Sequence, residues 1–157
     1  MRPTFASSIA AALLIVFGGA ALGLIANAAA PKGIPVVTPP LPAAAPEISF
    51  EDAWAAFDDG SAVFIDSRPM EEYRDGHIAG ALCVPYDDRK DHVESLRREV
   101  PRDRLVIAYC DAADECESSK RLSGWLLIQG WKDVRYFAEG YAAWRDAGLP
   151  VTEGEQP

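Results

Sequence analysis

The sequence predicts an α/β domain on a mostly parallel central sheet with helices on both faces, preceded by a transmembrane or signal helix. Three observations carry this. Short apolar segments alternate with amphipathic ones between residues 50 and 148, as strands joined by crossover helices do. One segment, "RLVIAYC" at 104–110, is almost wholly apolar, as a central strand covered on both faces requires. Residues 5–30 contain no charged residue, a run long enough to cross a bilayer as a helix.

Taken in order, that N-terminal run lies between Arg2 and Lys32. Ala26-Asn27-Ala28 offers the small-x-small pattern that signal peptidase accepts. An uncleaved anchor is favoured over a cleaved signal, because the apolar stretch exceeds a signal core and Gly18, Gly19 and Gly23 suit helix packing in lipid. The simplest topology leaves the short N-terminus in the cytoplasm and the domain outside, on the periplasmic side. Cleavage would release a secreted or periplasmic domain instead. Residues 31–46, with six prolines, read as a stiff spacer, so the domain is expected at 47–152, with 153–157 as a tail.

Within the domain, Ser49 is an N-cap with Asp52 in capping-box position, and Phe50, Trp54 and Phe57 share one face of the helix that follows. "AVFIDSR" is a strand closing at Asp66, and "PMEEYRDG" a helix with Pro69 at its first position. "ALCVPY" is a second strand, "DHVESLRREV" an amphipathic helix, and "RLVIAYC" the third strand. "ESSKRLSGWLLIQG" is a helix stopped by Gly130, "DVRYFA" a fourth strand, and "GYAAWRDAG" a last helix ended by Gly148.

Composition narrows the function. The 157 residues suit one domain, and 49% hydrophobic with 25% charged residues is a globular balance. A net charge of −9 argues against nucleic acid and against a polybasic membrane-surface patch. Cys83, Cys110 and Cys116, with His77 and His92, do not have the spacing of a zinc site, and no metal or other cofactor is expected.

Cys110 is the candidate nucleophile. It ends the central strand, and in parallel sheets sites lie at the carboxyl ends of strands. A following helix N-terminus favours the thiolate, the reactive form. The competing reading is a small, buried, inert residue. The loop behind it, Asp111, Ala112, Ala113, Asp114, Glu115 and Cys116, is acidic.

The sequence resembles the rhodanese (sulfurtransferase) domain family. The matching pieces are "FIDSRPMEEYRDGHIAGALCVPY" at 64–86, "LVIAYC" at 105–110 and "GWKDVRYFAEGYAAWRDAGLPV" at 130–151. Asp66-Ser67-Arg68, Glu72-Tyr73 followed by Gly76-His77-Ile78, and Glu139-Gly140 with Trp144 carry its motifs. The resemblance implies that Cys110 is the catalytic cysteine, carrying sulfur as a persulfide held by backbone N–H groups of its loop. It also implies a small-molecule sulfur donor or acceptor, or a sulfur-carrier protein, as partner.

The loop departs from that pattern. It has no glycine, and its first basic residue is Lys120. Its carboxylates disfavour a thiolate and repel anions, Asp111 and Asp114 above all, whereas Glu117 is ordinary at a helix start. Thiosulfate is therefore expected to be a poor donor, and a partner protein, polysulfide or low-charge persulfide a better one. Cys110 and Cys116 are close enough in sequence to form a disulfide, which leaves open a non-catalytic redox or binding module. The alternative for Cys116 is a small residue under the loop. A phosphatase would need an arginine in the loop to clamp its oxyanion, and none lies between Cys110 and Ser119. Asp66 and Arg68 read as a supporting ion pair, His77 as a turn-binding ring, and Cys83, Tyr73 and Trp144 as core.

Overall fold

A computed structural model describes residues 5–29, 43–111 and 117–155, with side chains described from residue 12 onward. The chain divides into two compact units, Met1–Pro40 and Leu41–Pro157.

In the first unit, Phe5–Ala29 form one helix, α1. Its 25 residues extend about 37 Å at ~1.5 Å per residue, more than the roughly 30 Å hydrocarbon thickness of a bilayer. Ala12–Ala29 are apolar enough to cross a membrane, and none of that stretch is buried.

The second unit is built on five parallel strands in the order β1-β6-β5-β2-β4. They are β1 (Glu47–Ile48), β2 (Ala62–Asp66), β4 (Leu82–Cys83), β5 (Leu105–Tyr109) and β6 (Asp133–Phe137). The apolar β5 lies in the middle, paired over its whole length with β2 and β6. Its side chains alternate between two cores, as the period of a strand requires. Val106 and Ala108 join Leu96, Leu122, Leu126 and Trp131, under α4 (Arg89–Glu99) and α5 (Glu117–Ile128). Ile107 and Tyr109 join Ala53, Phe137 and Trp144, under α2 (Phe50–Asp58) and α6 (Gly140–Asp146).

Local signals explain most element boundaries. The Ser49 hydroxyl accepts from the Asp52 N–H at 3.2 Å and caps α2. Phe50, Trp54 and Phe57 pack together on the second core, with the fully buried Trp144 ring 5.1–6.2 Å from those of Phe50, Trp54, Phe57, Phe64 and Phe137. After α5, Gly130 takes φ 99°, and the N–H of Trp131 returns to the Leu126 carbonyl, closing the helix as a left-handed residue allows.

Three expectations are corrected. Pro69 is the N-cap of α3 (Met70–Asp75), not its first helical residue. The second strand is only Leu82–Cys83, because its partner β2 ends at Asp66; beyond Cys83, the N–H groups of Val84 and Tyr86, on either side of Pro85, still donate to the carbonyls of Asp66 and Ser67. Two elements were not foreseen: β1, and a separate antiparallel pair of β3 (His77–Ile78) with β7 (Val151–Thr152). Each is two residues long, too short for an alternating pattern. Ala45 is also buried, and its N–H donates to Ser123.

Candidate active site

The order of the strands places the site. From β2 the chain moves outward to β4, then returns across β2 to form β5. The direction of winding thus reverses between β2 and β5, which opens a crevice at their carboxyl ends. Residues following β2, β4 and β5 meet there in a cavity of 520 Å³. β2 brings Ser67, Arg68 and Pro69; β4 brings Pro85, Tyr86, Asp87 and Asp88; β5 brings Cys110 and Asp111; and α5 closes it with Glu117, Ser118 and Arg121.

Cys110 lines the cavity and is 7% exposed. The first turn of α5 lies against it: the Ser119 hydroxyl donates to Sγ at 3.7 Å. On the other side, the Tyr141 N–H at the start of α6 donates to the Cys110 carbonyl at 2.7 Å. The Ser67 hydroxyl donates to the Tyr109 carbonyl and meets that of Ser118 at 2.9 Å. Cys110 is therefore held from α5 and α6, and the residue before it from the end of β2. Cys110 is disulfide-bonded, whereas Cys83 is free.

Asp66 and Arg68 form the expected ion pair. The Arg68 Nη2 donates to Asp66 Oδ2 at 2.6 Å and its Nε to Oδ1 at 3.0 Å, with both residues buried. Nη2 also donates to the Gly76 carbonyl at 2.7 Å, tying β2 to the end of α3. The guanidinium lies 4.3 Å from the Tyr141 ring centroid. Burial works against the Arg68 charge, but the hydrogen bond and charge of Asp66, helped by Tyr109 and Asp111, raise its pKa above the ordinary value.

The acidic loop is partly answered by two cations, one distant in sequence and one a helical turn away. Arg68 Nη1 lies 3.6 Å from Asp111, and Arg121 Nε lies 2.9 Å from Glu117. Asp111 is thus not an isolated charge beside the sulfur. Ala112, Ala113, Asp114, Glu115 and Cys116 lie outside the described residues, and so does one partner of the expected Cys110–Cys116 pairing. Sequence reasoning missed Arg121, Ser67, Ser118, Ser119 and Tyr86. One signal was available for Arg121: it stands four residues after Glu117, the spacing of a helix-surface pair.

His77 behaves as a turn-binding residue. It is fully buried, its Nδ1 lies 2.8 Å from the Tyr73 carbonyl, and its ring stacks on that of Tyr73 at 3.7 Å. Tyr73 is core, its hydroxyl donating to Ala81. Cys83 corrects the sequence reading, because it is half-buried and lines a second cavity of 260 Å³ with His92 and Glu99. Burial, then the Asp66 charge, push its thiol up to about 12.

Comparison with known proteins decides the family. The rhodanese-like domain profile matches residues 49–147. This chain belongs to the rhodanese-like domain family. Among curated relatives, the rhodanese-like domain is 34% identical over 95 residues to an HTH-type transcriptional regulator of Mycobacterium tuberculosis, covering 60% of this chain and 39% of that protein. It is 32% identical over 105 residues to a tRNA uridine(34) hydroxylase of Erwinia tasmaniensis, covering 62% and 29%. The chain thus spans less than two-fifths of the length of these relatives. A crystal structure of the Alr3790 protein from Anabaena sp. superposes with a TM-score of 0.58 at 25% identity, covering 68% of this chain and 92% of that one. A thiosulfate sulfurtransferase from Pseudomonas aeruginosa shares the fold, with a TM-score of 0.55 at 22% identity, covering 71% of this chain and 21% of that one.

Proposed function

We propose that this rhodanese-like protein is a membrane-tethered or exported sulfurtransferase that carries sulfane sulfur as a persulfide on Cys110. The observation that carries the reading is the seat of Cys110, lining the cavity at the carboxyl ends of β2 and β5 and against the first turn of α5. The reduced Cys110 thiolate attacks the outer sulfur of a donor. The donor's S–S bond breaks, its remaining part leaves with the bonding pair, and Cys110 keeps one extra sulfur. An acceptor thiolate then attacks that sulfur and regenerates the Cys110 thiolate. The helix N-terminus and the Ser119 hydroxyl stabilise the anion in both steps, and the chemistry requires no metal or other cofactor.

The oxidised form, with Cys110 in a disulfide, is then a resting state that a thiol reductant must open. As the partner of Cys110 we propose Cys116, six residues away in sequence. Helix α1 supports attachment to a membrane, with the domain outside the cytoplasm, where a disulfide persists. Cleavage after residue 28 would instead release it. The partners we infer are a small sulfur donor and acceptor or a sulfur-carrier protein. The disulfide favours a second reading, a non-catalytic redox or binding module that uses Cys110 and Cys116.

Intact-mass measurement separates the two. The full chain in detergent is reduced, desalted and incubated with thiosulfate or with polysulfide. A gain of one sulfur mapped to Cys110, absent in Cys110→Ser, supports the transferase. Rapid return of the disulfide with no sulfur gained from either donor supports the redox module.

A further inference from the structure

Resting on the sulfurtransferase reading, the lining of the cavity bears on which donor it takes. A volume of 520 Å³ is that of a small-molecule pocket and exceeds what an inorganic sulfur anion fills. Part of its lining is apolar: Pro69, Met70, Pro85 and the ring of Tyr86. That ring is braced from behind by Arg89, whose guanidinium lies 3.9 Å from its centroid.

The charges are unequal. Among the described lining residues, five carboxylates (Glu72, Asp87, Asp88, Asp111 and Glu117) stand with two guanidiniums (Arg68 and Arg121). Both guanidiniums are already engaged, Arg68 by Asp66 and Asp111, and Arg121 by Glu117. Glu72, Asp87 and Asp88 form no ion pair among the described residues. Asp88 stands at the start of α4, yet its side chain makes no cap bond. The cavity therefore combines a sulfur nucleophile, an apolar part of its lining and uncompensated negative charge at its rim. Arg89, which has no ion pair among the described residues, stacks on the Tyr86 ring but does not line the cavity. Among the described lining residues an anionic donor therefore meets net repulsion, while a donor bearing an ammonium group gains.

We propose that the donor is the persulfide of an organic aminothiol, its carbon chain lying along Pro69, Met70, Pro85 and Tyr86 and its ammonium group facing Glu72, Asp87 and Asp88. The transfer balances without an external oxidant. The Cys110 thiolate attacks the outer sulfur of R–S–SH and takes it with its proton, the donor's S–S bond breaks, and the aminothiol leaves as the thiolate with the bonding pair.

The test uses the reduced full chain in detergent and follows Cys110 loading by rapid-quench mass spectrometry. Three donors of similar size are compared: the persulfides of cysteamine (cationic), 2-mercaptoethanol (neutral) and 3-mercaptopropionate (anionic). The expected order is cationic, neutral, anionic, with cysteamine persulfide about tenfold faster than the anionic donor at low salt. The ratio should shrink as salt is raised, because the rim is exposed and screened. In the Asp87→Asn, Asp88→Asn double variant it should fall toward one. Equal or faster loading from the anionic donor overturns the inference but leaves the sulfurtransferase reading standing. Failure of Cys110 to load from any of the three overturns both. A preference for cysteamine persulfide that persists in Asp87→Asn, Asp88→Asn and in Glu72→Gln overturns the assignment to the rim.

Discussion

Replacing Arg68 with methionine should be among the most damaging single changes in the domain. Asp66 is wholly buried, and Arg68 is only 5% exposed. The substitution deletes three side-chain hydrogen bonds to Asp66 and one to the Gly76 carbonyl, while methionine keeps most of the apolar stem. The carboxylate is left in the interior with the Arg68 backbone N–H at 2.9 Å but no counter-charge. Breaking a buried pair in this way costs about 3–5 kcal/mol. Asp66→Asn removes the other charge but keeps an acceptor for that N–H. The double variant should therefore be much less unstable than the sum of the two, with a coupling of at least ~2 kcal/mol. Urea unfolding of the full chain in detergent, followed by tryptophan fluorescence, reads all four proteins. If Arg68→Met costs under ~1 kcal/mol, or the two changes add within ~0.5 kcal/mol, Arg68 is not a keystone and the reasoning fails.

Trp144→Ala should cost about 3–5 kcal/mol in the same assay, because five aromatic rings pack around the side chain; a loss below ~1.5 kcal/mol would mean that the second core can collapse around the gap. A Cβ on Gly76 would fall on the Tyr141 hydroxyl and come 3.1 Å from the ring carbon bearing it, so Gly76→Ala should cost about 1–3 kcal/mol. Tyr141→Phe should restore part of that loss, and no restoration would refute the clash. Cys83, with its thiol held up to about 12 by burial and Asp66, is mostly neutral at ordinary pH. Its alkylation by iodoacetamide should be about 10²–10³ times slower at pH 8 than that of an ordinary thiol and should keep rising with pH to near that value. A plateau near pH 9 would show that the thiol is not held in its neutral form.

Several features of the site were legible because each has a local cause. The apolar run of β5 reports burial on both faces, and its end marks Cys110. Asp66 and Arg68, two residues apart at the end of β2, imply a pair on one side of the sheet. Ser49 and Gly130 announce a cap and a stop. What was missed has no local signature. Two-residue strands such as β1, β3 and β7 exist only because a partner from elsewhere in the chain completes them: Tyr136 and Phe137 for β1, and β3 and β7 for each other. The half-exposed setting of Cys83 likewise depends on α4, whose residues His92, Ser95 and Glu99 leave a cavity beside it.

By itself, the sequence determined the alternation of strands and helices, the central strand, the cysteine at its end and the apolar N-terminal helix, because hydrophobic period and run length are properties of neighbouring residues. Only the tertiary structure decided which charges stand around that cysteine. In the sequence, Cys110 is followed by an acidic loop, and its first basic neighbour is Lys120. In the fold, β2 and β5 are adjacent, so Arg68, 42 positions before Cys110, reaches Asp111, while Asp87 and Asp88 arrive from the far side of β4. Electrostatic interaction falls with distance through space, and that distance is set by strand order, which no local pattern encodes.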